Sequence, residues 1–163
     1  MNYLCKVSLT VSALLLSACL AQPANAANEP PADLCALLPA ADVGKILGRS
    51  FDPPEKSVAP RPYANTAQGT DCHYSAKSGK LWFRAYVDPS PAAATELFDK
   101  LGMFYQPQTP VPGLGDQAYF DREHALHVRK GKVRFYLNLS GTTFSPAVER
   151  QIKELAEKVI SQL

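Results

Sequence analysis

The chain has 163 residues, with 17 Lys and Arg against 15 Asp and Glu, a formal net charge of +2. So small a surplus gives no electrostatic case for nucleic acid or for an anionic membrane surface, both of which are held by clustered basic charge. Once an export signal is set aside, the length is that of one ordinary domain.

The first 26 residues have the anatomy of such a signal: Lys6 near the amino terminus, an apolar run from Val7 to Leu16, then small residues. The run is about half of the roughly 20 residues that span a bilayer. Two cuts are open to the export machinery. Leu16-Ser17-Ala18-Cys19 resembles the bacterial lipobox, in which Cys19 is lipidated and becomes the first residue. Ala24-Asn25-Ala26 is an A-x-A site for ordinary signal peptidase, with Pro23 breaking the chain before it. The apolar run stops directly at the lipobox, which favours the first cut; as a plain small apolar residue of the signal core, Cys19 would be discarded. Removal of 18 or 26 residues from 163 leaves 145 or 137. Either product is exported, to the periplasm or to a lipid anchor at the envelope membrane. Any membrane contact is through that anchor alone.

Cys5 leaves with the signal, so Cys35 and Cys72 are the pair that remains, and an even pair in an exported chain reads as one disulfide. Residues 19–32 are rich in Ala, Pro and Asn and read as a disordered leader or tether. A single domain is expected over 33–163.

Asp33 is a plausible N-cap for a short turn carrying Leu34, Cys35, Leu37 and Leu38. A helix over Ala40 to Leu47 follows, with Val43, Ile46 and Leu47 on one side and Gly48 ending it. The next stretch, "SFDPPEKSVAPRPYANTAQG", has four prolines and little periodicity. It reads as an irregular excursion with at most a short strand near Phe51. Residues 70–88 carry a hairpin signal around Lys77-Ser78-Gly79, with Cys72, Tyr74, Leu81, Phe83, Ala85 and Val87 toward a core and His73, Trp82, Arg84 and Tyr86 away from it. Ser90-Pro91 opens a helix that ends at Gly102, with a stripe of Leu97, Phe98 and Leu101.

A proline-rich loop leads to a short strand at Ala118 to Phe120, and two more strands join around Gly131. Leu126, Val128, Val133, Phe135, Leu137 and Leu139 point one way; His127, Arg129, Arg134, Tyr136 and Asn138 point the other. The last helix begins at Ser145-Pro146. Val148, Ile152, Leu155, Ala156, Val159, Ile160 and Leu163 form its apolar face, with Glu149–Lys153 and Glu154–Lys158 spaced to pair on the other. The element order predicts an α+β domain: an antiparallel sheet of about five strands with helices packed on one face.

"DLCALLPAADVGKILG", the second cysteine in "CHY", "PVPGLGDQAYF", "LHVRKGKVRFYLNLSG" and the terminal helix together resemble a family of small exported bacterial lipoproteins of unassigned function, best known from actinobacterial cell envelopes. The resemblance covers most of Asp33 to Leu163. It implies an α+β sandwich with a disulfide, here Cys35 to Cys72, joining the first helix to the sheet. It brings no catalytic residues to this chain, and the second, non-lipid cleavage site departs from its commonest pattern.

The chemistry-bearing patterns are few. Gly113 to Ala118 fits G-x-G-x-x-A, but a proline loop precedes it and a strand follows, so it reads as a turn with Asp116 closing it and not as a pyrophosphate site. His124 and His127, three apart on a predicted strand, point to opposite faces and do not share a metal; His73 has no ligand pattern beside it. No metal or cofactor is therefore expected. There is no G-x-S-x-G elbow, H-E-x-x-H helix, C-x-x-C pair or P-loop, which argues against the common hydrolases and redox enzymes.

What remains is a face: Trp82, Arg84, Tyr86, His127, Arg129, Arg134 and Tyr136 share the outward side of the sheet. Aromatics and arginines suit a binding surface, while ordinary strand propensity and a solvated or helix-covered second face explain the same pattern without one. The expected function is a non-catalytic envelope module binding an unknown protein partner or small ligand. The alternatives are an inhibitor or immunity protein against an envelope-acting enzyme, and an enzyme of unrecognised type.

Overall fold

The computed structural model describes residues 29–106 and 108–163. The export signal, Cys19 and most of the leader lie outside these residues. Seven antiparallel strands form one sheet in the order β1-β2-β3-β7-β6-β5-β4. They are β1 (Glu55–Ala59), β2 (Gly69–Ser75), β3 (Lys80–Val87), β4 (Thr109–Pro110), β5 (Gln117–Phe120), β6 (Leu126–Lys130) and β7 (Val133–Ser140). Among the described residues three α-helices accompany them, α1 (Ala40–Leu47), α2 (Pro91–Gly102) and α3 (Pro146–Ile160), with a 3-10 turn over Leu34–Leu37.

The α+β class, the antiparallel sheet and the Cys35–Cys72 disulfide agree with expectation. Two strands exceed the expected five. β1 lies inside the proline-rich excursion, and it escapes a pattern reading because it pairs on one side only and buries just Ala59 of its five residues. β4 is two residues long, pairing Thr109 with Phe120 and Pro110 with Tyr119.

The local signals that start and stop the helices are the ones the sequence carries. The Asp33 carboxylate accepts from the Cys35 amide at 3.1 Å, Ser90 Oγ from Ala93 at 3.1 Å and Ser145 Oγ from Val148 at 3.3 Å. Gly48 closes α1 at φ 66°, a left-handed conformation that costs glycine little. The Asp116 carboxylate, expected to close its own turn, reaches instead to the β6–β7 turn, where it accepts from Gly131 N–H at 2.7 Å; Gly115 beside it has φ 61°, and a Cβ there would meet the Arg129 carbonyl at 2.6 Å.

The main core lies between one sheet face and the 3-10 turn, α1 and α3. Cys72, Tyr74, Leu81, Phe83, Val128, Phe135 and Leu137 face Leu37, Leu38, Val43, Ile152, Leu155 and Val159. Burial of this apolar surface, at about 25 cal/mol per Å², is the dominant stabilising contribution. The disulfide ties the 3-10 turn to β2, and the Tyr74 hydroxyl donates to the Leu38 carbonyl beside it. On α3 the Glu149–Lys153 pair forms at 2.6 Å, whereas Lys158 turns to Asp42 of α1 at 3.2 Å instead of to Glu154.

Helix α2 departs from the expected layering. It covers part of the opposite sheet face, where Phe98 packs edge-on to Tyr119 at 5.1 Å. Its buried line is Ala94, Phe98 and Gly102, so the small residues allow close approach while Leu97 and Leu101 of the expected stripe are only half-buried. Helices therefore lie on both faces of the sheet, and the second face becomes the floor of a cleft.

Candidate functional site

Antiparallel register lines up side chains from five strands on this second face. Asp71 of β2 is opposite Arg84 of β3, Arg84 opposite Tyr136 of β7, Tyr136 opposite His127 of β6, and His127 opposite Tyr119 of β5. Side chains directly opposite stand close enough to interact, so the row is continuous. Arg84 Nη2 donates to Asp71 Oδ2 at 2.8 Å, and its Nε donates to the other carboxylate oxygen. The guanidinium sits 5.3 Å from the Tyr136 ring, Tyr136 stacks with His127 at 5.6 Å, and His127 stacks with Tyr119 at 4.8 Å. Tyr105, beyond the end of α2, packs against the same imidazole at 4.6 Å.

A second row runs beside it: Tyr86, Arg134, Arg129 and Gln117. Two arginines directly opposite would repel, so each needs its own carboxylate. Arg134 Nη2 donates to Asp88 Oδ1 at 3.0 Å, in a pair where the arginine is 4% and the aspartate 2% exposed. Arg129 donates to Asp116 at 2.9 Å and to Gln117 at 2.8 Å. The Arg134 guanidinium lies 5.0 Å from the Tyr86 ring, and the Tyr86 hydroxyl donates to the Pro60 carbonyl at 2.9 Å. That bond pins the segment after β1 above the sheet.

All seven residues expected on the outward face are on it, with unequal access. Trp82 is 42% exposed and stacks with His73 at 5.1 Å, at one end of the face. Arg84, His127, Arg129 and Tyr136 are half-buried, while Tyr86 and Arg134 are buried. His124 is not on β6 at all; it occupies the preceding turn at φ 63°, with its ring 4.0 Å from that of Phe144.

Six of the seven outward residues surround two adjoining hollows. A cleft of about 420 Å³ opens between α2, residues 60–63 and the sheet, and is lined by Tyr63, Tyr86, Phe98, Leu101, Phe104, Tyr105, Tyr119 and Tyr136 with Arg61, Arg84, His127 and Arg134. A second hollow of about 370 Å³ runs toward Trp82, Asn138 and Asp121; Arg84, Tyr105, His127 and Tyr136 border both. Arg129 stands outside them. Sequence reasoning missed Tyr119, Phe98, Tyr105 and the 60–63 segment. The aromatic at Tyr119 followed by Phe120 was a usable strand signal, but nothing in the sequence places α2 over this face.

His127 Nε2 is 2.9 Å from Asp121 Oδ2, and the Asp121 carboxylate also accepts from the Glu123 and Ala125 amides at 2.8 and 2.9 Å. Burial alone would raise its pKa; the bonds from His127 and the two amides outweigh that and hold Asp121 below the ordinary carboxylate value. Asp121, held at Nε2, and the aromatic rings packed around it fix the orientation of the His127 imidazole. Burial also raises the phenols of Tyr86 and Tyr136, even though the nearby Arg84 favours their ionised forms. On the sheet, the lining therefore presents the neutral hydroxyls of Tyr86 and Tyr136 beside the carboxylate-paired guanidinium groups of Arg84 and Arg134. Among the described residues no three His, Cys, Asp or Glu side chains converge to hold a metal, and no helix is long and apolar enough to cross a membrane.

A solved structure has this fold. It is the extracellular domain of PknH from Mycobacterium tuberculosis, similar to this chain with a TM-score of 0.56 and 13% sequence identity, covering 82% of this chain and 97% of that one. At that identity the likeness is one of fold alone. No protein-family model matches the chain, and comparison with curated proteins finds no relative. The expected resemblance to actinobacterial envelope proteins thus has a counterpart in fold, this extracellular domain, and in fold only. The Cys35–Cys72 bond is itself the chemistry of an oxidising compartment.

Proposed function

We propose that the chain is an exported, non-catalytic binding module of the cell envelope that takes a small ligand in the cleft between α2 and the sheet. The observation that carries this reading is the cleft itself: an open hollow of ligand size, walled by aromatic rings, with a few fixed polar groups converging on it. Side chains already tied to partners on the sheet need little ordering when a ligand arrives, which favours affinity. Export, by lipidation at Cys19 or by release after Ala26, places the cleft outside the cytoplasm in either case.

Fragment screening by NMR on the isotope-labelled protein tests the reading. Shifts should concentrate on Tyr63, Tyr105, Tyr119 and Tyr136, and Leu101→Trp, which fills the cleft from α2, should abolish them. Hits spread evenly over the surface, or hits unaffected by Leu101→Trp, would sink the proposal. Intact mass of the mature chain from membrane and soluble fractions decides between the two cleavage sites.

A further inference from the structure

The floor and the mouth of the cleft differ in how their charges are answered. On the floor, Arg84 has Asp71, Arg134 has Asp88 and His127 has Asp121. Those carboxylates do not line the cleft, and no Asp or Glu among the described residues does. At the mouth, Arg61 is exposed and has no carboxylate within ion-pair distance among the described residues. Lys100 of α2, next to the lining residue Leu101 and itself outside the lining, is likewise exposed and without such a carboxylate. Glu96 stands four residues before it, at the spacing that favours a helical ion pair, yet the Lys100 ammonium lies 4.5 Å from the Tyr63 ring that walls the cleft. Two uncompensated cations thus flank Tyr63 above an apolar, aromatic hollow.

Resting on the reading of the cleft as the binding site, we infer that its ligand is a small amphiphilic anion, with an apolar, preferably flat body among Tyr86, Phe98, Leu101 and Tyr136 and its anionic head at Arg61 and Lys100. Low-dielectric walls lined by one sign of charge concentrate the opposite sign in a ligand. Flat apolar groups match the ring faces. A cation would meet Arg61 and Lys100 with nothing to offset them, and a neutral analogue would leave both without a partner.

Three probes with one body separate the possibilities: 2-naphthoate, 2-naphthamide and 2-naphthylmethylammonium, titrated into the full mature protein by calorimetry and by NMR. Naphthoate should shift cleft resonances and bind at least about fivefold more tightly than the amide, the scale of one or two exposed charge contacts. The doubly substituted Arg61→Ala, Lys100→Ala protein, altered only at exposed positions, should lose that preference and keep amide binding. Amide or ammonium binding in the cleft as tight as naphthoate would overturn the charge assignment and leave the cleft standing as a site. An anion preference that survives the double substitution would overturn the roles of Arg61 and Lys100. No cleft shift with any probe would overturn the binding-site reading as well.

Discussion

The Arg134–Asp88 pair is the place where the cleft floor and the stability of the fold meet, and its energetics can be worked out in advance. Both side chains are almost wholly buried and joined by two hydrogen bonds. Arg134→Met would leave a buried carboxylate without its partner, and Asp88→Asn a buried guanidinium without its countercharge. Each single change should cost about 3–5 kcal/mol, a large share of the 5–15 kcal/mol typical of a domain. Replacing both by apolar residues of similar size, Arg134→Met with Asp88→Leu, should cost far less, because no charge is left stranded. In a double-mutant cycle built on that pair, with Asp88→Leu as the second single variant, the coupling should be at least about 3 kcal/mol. Urea unfolding followed by circular dichroism measures all four proteins. A loss below about 1 kcal/mol in Arg134→Met, or a double variant equal to the sum of the singles, would refute the account of a dry, mutually dependent pair.

Reduction of Cys35–Cys72, or its replacement by serine, should cost about 3–4 kcal/mol, since the bond closes a loop of sequence separation 37; thermal unfolding with and without reductant reads this directly. Burial raises the phenols of Tyr74 and Tyr119, so the folded protein keeps protons that the unfolded chain releases near pH 10. Stability should therefore fall as pH rises above about 10, and Tyr74→Phe should flatten the fall in a urea midpoint series. Gly115→Ala should destabilise by at least about 1 kcal/mol, through its positive φ and the clash with the Arg129 carbonyl, whereas Gly113→Ala, also at positive φ but with open space around it, should cost less.

Much of this architecture was legible because the deciding interactions are local. Ser90-Pro91 and Ser145-Pro146 announce their helices through one side-chain bond and one fixed φ, and strict alternation in "KLWFRAYV" and "VRFYLNLS" assigns each side chain to a face. What could not be read are facts of long range. The stripe of α2 does not say which sheet face it will meet, because its partner Tyr119 is put on that face by the long-range pairing of β5 with β6. β1 has no periodicity of its own and exists because β2 offers it a partner. The outward face looked uniform in sequence. Its division into a buried floor at Tyr86 and Arg134 and an accessible rim at Trp82 depends on where α2 and residues 60–63 come to rest.

The two ends of the sheet bear on how the molecule behaves in a crowd. β1 is five residues long, bracketed by Pro53 and Pro54 on one side and Pro60 and Pro62 on the other, and carries Glu55 and Lys56; β4 is two residues ending in Pro110. Short, charged, proline-bounded margins are poor templates for a further strand, because proline offers no amide hydrogen and a charged side chain resists a dry junction. Copies packed at high density are thus discouraged from zipping edge to edge into extended ribbons.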